Sequence, residues 1–485
     1  MRDWLSLRRA ATPSSTALVA VSDGRTWTYR ELDDAVDATA GRLASAGVER
    51  GDRVGVVMET RPAFVRLVWA VQRLGAVLVP VNARLTAPEM AAQVERVDAV
   101  VLVTDADHHD TATEAAGDVP VLSVDEGTGD VTALDSLATA PVKPAAVPPT
   151  EPWVVMFTSG TTGSPKAVRL TRANFLASAT ASAFRLGVLP EDRWLLCLPM
   201  YHMGGLSVPV RTTIYGTTTV LHEGFDANGV GAALSDYEAT GVSLVPTMLS
   251  RLLDDGGLSG TLRFALVGGG ATDPDLVRRA RDAGVPIHTT YGMTETTSQI
   301  ATATPREVDE APETVGRPLG SVEVAILDDG ERLDPGEVGE IAVRGYAVTP
   351  GYLAGEATRD GWFATGDLGY RDEDGRLFVV GRASERIVTG GENVAPPEVV
   401  RAIESHPDVT AAAVVGLPDP EWGERVAALV VADDLSRDEL DDYLAGRLAG
   451  YKRPRTVAFA DDLPRTPSGT VDREAVRARL RDAEP

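Results

Sequence analysis

Met156-Phe-Thr-Ser-Gly-Thr-Thr-Gly-Ser-Pro-Lys166 follows the apolar run that begins at Trp153, and places five hydroxyl side chains and two glycines ahead of a lysine. Glycine lets backbone N–H groups approach and wrap phosphate oxygens, and hydroxyls add further donors. A terminal lysine supplies a point charge. Thr158, Ser159, Gly160, Thr161, Thr162, Gly163 and Lys166 are therefore candidate phosphate-binding residues. A P-loop would need G-x-x-x-x-G-K-[S/T], with the lysine directly after the second glycine. Here Ser164-Pro165 separates Gly163 from Lys166, and Ala167 rather than a hydroxyl follows the lysine, so the spacing excludes that motif.

Outward from this loop, strand and helix patterns alternate. Glu31 to Ala46 carries apolar residues at Leu32, Val36 and Leu43, which predicts one buried helix face. Asp52 to Met58 reads as a buried strand, and Pro62 to Leu74 as a helix with proline near its start. Further strands are expected at Ala76–Val81 and Ala99–Val103, with a Thr86/Glu89 capping box opening the helix between them. Such alternation implies a mostly parallel sheet covered on both faces. Pro141 to Thr150 reads as an extended, exposed, proline-rich connector. From Val322 to Val343 the Asp329-Gly330 and Pro335-Gly336 turns indicate antiparallel β structure. After Gly381 comes a unit of small-domain size, with helices at Pro397–Ser405 and Arg437–Leu448 and strands at Ala411–Val415 and Ala427–Val431.

At 485 residues the chain is long enough for roughly three domain-sized units. With 71 acidic against 46 basic residues the net charge is −25, which disfavours a nucleic-acid partner. Lys143, Lys166 and Lys452 are the only lysines. Acidity with lysine scarcity points to a high-salt cytoplasm, where surface charge is screened over about 3 Å at 1 M. No apolar stretch is long enough to span a bilayer and the N-terminus lacks a secretory pattern, so a soluble cytoplasmic protein without a membrane partner is expected. The single cysteine, Cys197, sits in an apolar strand and reads as inert core. Composition does not discriminate a monomer from a homodimer.

The glycine- and hydroxyl-rich loop closely resembles the signature loop of the adenylate-forming superfamily of acyl-CoA synthetases, peptide-synthetase adenylation domains and luciferases. It differs from the family pattern Y/F-T-S-G-T-T-G-x-P-K-G only by Ala167 at the final glycine. Four further family motifs follow in order. Gly268-Gly269-Gly270-Ala271 resembles the adenine-side loop, and Tyr291-Gly292-Met293-Thr294-Glu295 the Y-G-x-T-E motif. Phe363-Ala-Thr-Gly-Asp367 resembles the ribose-binding T-G-D motif, and Gly381-Arg382 the pair that opens the second domain. The resemblance implies an α/β fold: a large N-terminal domain, 1–383, of parallel α/β subdomains plus a β-rich subdomain, and a small mobile α+β C-terminal domain, 384–485, hinged at Ser384.

It also implies the chemistry and the partners. ATP, Mg²⁺, coenzyme A and a small-molecule carboxylic acid are the expected substrates and cofactors. Thr294 would meet the α-phosphate, Glu295 would hold magnesium, Asp367 and Arg382 would lie at the ribose, and Gly390-Gly391 would admit the pantetheine arm. The family usually carries a lysine where this chain has Thr470, so adenylation would depend on another cation such as Lys452, Arg465 or Arg473. His202, in Leu198-Pro-Met-Tyr-His-Met-Gly-Gly, falls at the acyl-pocket mouth, with Gly269 at the substrate too. This stretch and its continuation to Phe225 resemble the o-succinylbenzoate–CoA ligases of menaquinone biosynthesis. That acid has a second carboxylate, for which Arg211 is the candidate partner. A general medium-chain or aryl acid–CoA ligase, a carrier-protein-loading enzyme and a non-catalytic adenylate sensor are the alternatives.

Overall fold

Local rules account for most element boundaries. Pro62 opens the helix Pro62–Leu74, and Gly75 ends it in the left-handed conformation at φ +73°. Thr28 and Glu31 form a capping box that starts Tyr29–Ser45, and Thr86 with Glu89 does the same for Ala87–Arg96. The computed structural model describes the chain apart from residues 1–2, 159–164, 256, 259, 356–360, 384–386, 390–391, 395, 434, 466–470 and 483–485. It falls into two units, Met1–Val324 with Val343–Phe363 and Asp374–Leu377, and Ala325–Ala342 with Ala364–Glu373 and Phe378–Pro485.

The first unit contains two large sheets. One has eight strands in the order Gly351–Tyr352, Lys166–Thr171, Pro152–Thr158, Val77–Val81, Arg53–Val57, Ala99–Thr104, Val121–Ser123, Thr132–Ala133. Its interior pairs are parallel, and the Lys166–Thr171 strand joins it antiparallel. The other has nine strands, with a parallel centre running from Ile287–Met293 through Phe264–Val267, Gly241–Leu244, Arg193–Leu196 and Thr218–Leu221 to Thr16–Ala20. The proline-rich connector has no regular structure over 141–148 and is largely exposed, as its composition indicates. No helix among the described residues is long and apolar enough to cross a membrane.

Aromatic packing and one buried ion network hold the N-terminal helix Trp4–Ala11 in place. The Trp69 and Trp153 rings stack at 5.6 Å, Trp4 packs edge-on against both, and Phe175 closes the cluster 4.7 Å from Trp153. Beneath it Arg73, 1% exposed, donates to Asp3, Asp33 and Asp37 and to Ser6 Oγ. Burial pushes the Asp3 carboxyl upward, but its bonds to the Arg73 guanidinium outweigh this and hold it below the usual aspartate range. Its contribution to stability is therefore present above the ordinary aspartate pKa and lost as pH falls through the lowered value.

The second unit is β-rich, then α+β. The Asp329-Gly330 turn, with φ of +46° and +86°, joins Glu323–Asp328 to Glu331–Arg332 as an antiparallel hairpin. Beyond residue 386, Val409–Asp419 and Gly423–Ala432 form a long antiparallel pair, with Thr456–Phe459 added in parallel. Both strands exceed the apolar runs read from sequence. Backbone pairing continues from Gly416 to Asp419 against Gly423 to Val426, past the doubly buried centre. At that centre Ala412 and Val414 face one core while Ala413 and Val415 face another, and a strand buried on both sides reads as an unbroken apolar run.

Arg73→Ala would leave Asp3 buried without a cation and Asp33 with only the half-exposed Arg9, and should destabilise the first unit by roughly 3–5 kcal/mol. Arg50→Ala, which removes only an exposed pair with Glu151, should cost less than about 1 kcal/mol. Chemical denaturation followed by tryptophan fluorescence would separate the two, and equal losses would contradict this ranking.

Candidate active site

The ends of the glycine- and hydroxyl-rich segment are adjacent, because Thr158 pairs with Lys166 across the antiparallel ladder. Ser159, Gly160, Thr161, Thr162 and Gly163 lie outside the described residues. Ala167, where the family pattern has glycine, is buried in an apolar cluster with Val79 and Val155. Its Cβ is therefore part of the core. The short strand Gly351–Tyr352 pairs with the Lys166–Thr171 strand at Arg169 and Val168, and Leu353 N donates to Ala167 O at 2.9 Å. Lys166 Nζ lies 5.3 Å from the centre of the Tyr352 ring.

The Tyr291–Glu295 residues end one strand and begin a tight turn. Gly292 is opposite Gln299, and a Cβ there would come within 1.6 Å of Ser298 O, so only glycine fits. Thr294–Thr296 then form a single 3₁₀ turn. Thr297 and Ser298 follow at φ +53° and +102°, backbone conformations that non-glycine residues seldom adopt. Glu295 is buried; its carbonyl accepts from Thr349 N at 2.7 Å and its carboxylate from Tyr352 Oη at 3.3 Å. Burial beside the Glu295 carboxylate pushes the Tyr352 phenol well above its ordinary range, so it remains a donor.

Gly268 and Gly269 follow the strand Phe264–Val267, with Gly269 at φ +80°. A Cβ on Gly268 would come within 2.7 Å of Thr290 O, whereas Gly270 and Ala271 are exposed. Gly268, Gly269, Gly292 and Thr294 line a cavity of about 460 Å³ together with His202 and Arg211. His202 is the N-cap residue of the helix Met203–Tyr215 and is exposed at the cavity's edge. Desolvation by its surroundings and the nearby Arg84 charge lower its imidazole pKa, so the ring is neutral at pH 7.

Arg211 is 2% exposed. Its Nη2 reaches Ser178 Oγ at 3.5 Å, its guanidinium lies 5.7 Å from the Trp194 ring centre, and Nη1 has no hydrogen-bond partner. No carboxylate pairs with it among the described residues, and burial lowers its pKa. An unpaired buried cation facing a cavity is costly unless an anion enters.

Asp367 and Arg382 belong to the second unit, where Arg382 Nε donates to Asp367 Oδ1 at 2.8 Å. Lys452 Nζ is paired with Glu398 at 2.6 Å, Arg465 bridges to Val471, and Arg473 opens the last helix. Thr470, Gly390, Gly391 and Ser384 lie outside the described residues. Cys197 is buried and its thiol is pushed up to about 12 by burial, which suits a core residue.

A model of the AMP-binding enzyme family matches residues 6–353, and a model of the AMP-binding enzyme C-terminal domain matches 398–470. The chain belongs to the AMP-binding enzyme family. Residues 354–397 separate the two matched segments. Among relatives, a 2-succinylbenzoate–CoA ligase of Bacillus licheniformis is 38% identical over 479 residues, covering 97% of this chain and 98% of the relative. The o-succinylbenzoate CoA synthetase of Bacillus subtilis, solved with its acyl-adenylate intermediate, superposes with a TM-score of 0.91 at 36% identity, covering 100% and 99% of the two chains. The same synthetase solved with ATP and magnesium gives 0.90 at 36%, with 99% and 100% covered.

As a member of this family the chain has the α/β architecture expected from its motifs. Sequence reasoning missed Thr349 and Tyr352, which approach Glu295 from about fifty residues away. The only local signal was the Pro350-Gly351 pair ahead of the tyrosine. It also missed Gln299, buried at the cavity with its Oε1 unpaired while Nε2 donates to Thr302 Oγ1 at 2.7 Å.

Proposed function

We propose that this enzyme ligates 2-succinylbenzoate to coenzyme A with ATP, through an acyl-adenylate. The observation that carries the reading is Arg211, a buried guanidinium with an unpaired Nη1 on a largely apolar cavity. A monocarboxylic acid would place its single carboxylate at the nucleotide and leave Arg211 unpaired. A dicarboxylic acid can direct its second carboxylate to Arg211. The cavity, at about 460 Å³, is within the usual range of about 300–1,000 Å³ for small-molecule sites. The names of the similar ligases above support the same acid.

In the first step a carboxylate oxygen attacks the α-phosphorus of ATP, the bond to pyrophosphate breaks, and an acyl-adenylate forms. In the second, the sulfur of coenzyme A attacks the acyl carbon, the bond to AMP breaks, and the thiol proton is released. The first step brings anions together, so catalysis depends on positioning and charge compensation. Lys166, at the end of the hydroxyl-rich loop, would supply positive charge to the pyrophosphate side, and Thr294 would meet the α-phosphate. Gly269 and Gly270 would leave space for the flat adenine, and His202 would stand beside the acyl group.

Glu295 fits a magnesium ligand. It is a buried carboxylate with no cation partner, and no cluster of three metal-binding side chains occurs among the described residues. A lone carboxylate suits an ion held mainly by substrate phosphates. Bound magnesium would neutralise phosphate charge.

Arg211→Met should lower kcat/KM for 2-succinylbenzoate by about 10²–10³-fold, the effect of unpairing a desolvated charge. Benzoate and medium-chain acids should be affected little. A turnover panel with ATP and CoA would show this, and an equal loss on every acid would refute the assignment. With Thr470 in place of the family lysine, Lys166→Ala should slow pyrophosphate release by about 10²-fold or more; an unchanged rate would remove Lys166 from the site. The acidic, lysine-poor surface also suits a high-salt cytoplasm, so the unfolding midpoint should rise between about 0.1 M and 2 M KCl as repulsion is screened. A flat midpoint would oppose that reading.

A further inference from the structure

The stretch Tyr346–Leu353 ties together the two parts of the phosphate site. Asn174 Nδ2 donates to Tyr346 O and Val348 O, Thr297 Oγ1 to Ala347 O, and Thr349 N to Glu295 O. On its other side, Thr349 Oγ1 donates to Arg169 O at 2.6 Å, and Gly351 and Tyr352 pair with the strand that begins at Lys166. Tyr352 is opposite Val168, so its side chain is a diagonal neighbour of Lys166 on the same face. One tyrosine therefore presents its ring to Lys166 Nζ at 5.3 Å and its hydroxyl to Glu295 Oε1 at 3.3 Å.

Lys166 and Glu295 are opposite charges gathered at one site, yet no ion pair joins them among the described residues. Direct pairing would neutralise both and leave neither available to a ligand. The hydroxyl bond to Oε1 orients the carboxylate and leaves its Oε2 for a cation, and the ring beside Lys166 leaves its N–H donors for a phosphate.

We propose that Tyr352 is a positioning residue that keeps Lys166 and Glu295 apart and oriented, Glu295 toward a divalent cation and Lys166 toward phosphate. This rests on the ATP-dependent reading of the site. Tyr352 contributes no atom to the reaction; it acts through its two partners. The ring and the hydroxyl serve different partners, so they can be removed separately. Tyr352→Phe deletes the hydrogen bond to Glu295 and keeps both the ring beside Lys166 and the backbone pairing with Val168. Tyr352→Leu deletes both side-chain contacts.

The test is calorimetric binding of ATP to the full chain across a magnesium titration, together with pyrophosphate binding without metal. Tyr352→Phe should raise the magnesium concentration for half-maximal ATP binding by about three- to tenfold, the effect of one ordinary hydrogen bond, as its 3.3 Å length suggests. It should leave metal-free pyrophosphate binding unchanged. In a Glu295→Gln background the same substitution should have no further effect on the magnesium dependence. Tyr352→Leu should in addition weaken pyrophosphate binding several-fold, and if it fails to fold the phenylalanine variant decides alone. A Tyr352→Phe protein with wild-type magnesium dependence, or with an undiminished effect in the Glu295→Gln background, would overturn this inference and leave the proposed function standing. Wild-type protein that binds ATP without regard to magnesium would overturn both.

Discussion

The antiparallel pairing of Pro152–Thr158 with Lys166–Thr171 is the constraint on which the candidate site depends. Without it the hydroxyl-rich segment would have no fixed ends. With it, Thr158 and Lys166 become cross-strand neighbours, and the outer side of the Lys166 strand becomes an edge. An edge strand has unpaired backbone groups that must be satisfied. Here Gly351–Tyr352 and Leu353 satisfy several of them, and in doing so bring Tyr352 to Lys166. The same stretch then binds the turn after Gly292 through Thr349 and Tyr352. Backbone pairing at one sheet edge thus sets the separation of a cation and an acid far apart in sequence.

The acyl side is governed by electrostatics rather than by pairing. Arg73 and Arg211 are both almost fully buried arginines, and their surroundings differ sharply. Arg73 is enclosed by Asp3, Asp33 and Asp37, and that network is complete within the protein. Arg211 has an aromatic face, one serine hydroxyl and a cavity. A fully paired buried charge supports the fold, whereas an unpaired one beside a cavity awaits an anion from outside. The contrast separates a structural role for Arg73 from the substrate-recognising role proposed for Arg211.

Much of the fold was legible because local rules and tertiary packing agree. Pro62 and Gly75 bound their helix as read, Thr86 and Glu89 form the expected capping box, and Asp329-Gly330 makes the expected hairpin. The strands of the second unit were read too short, because apolar composition reports burial while pairing follows the partner strand past the core. At the site, Gly292 was legible as part of a motif, but its reason was not: the clash with Ser298 O exists only once two strands are paired. Arg211 could be named a candidate from its place after His202, yet nothing local distinguished a surface arginine from a buried one.

The sequence by itself determined the alternating α/β architecture, the order of the nucleotide motifs and the identities of the charged side chains. Those follow from periodicity, capping and spacing, which act over a few residues. Only the tertiary structure decided that Arg211 is buried without a counter-ion and that Tyr352 stands between Lys166 and Glu295. The physical reason is the same in both cases. Desolvation and contact depend on which distant segments fill the surrounding space, and that is settled by sheet order and register.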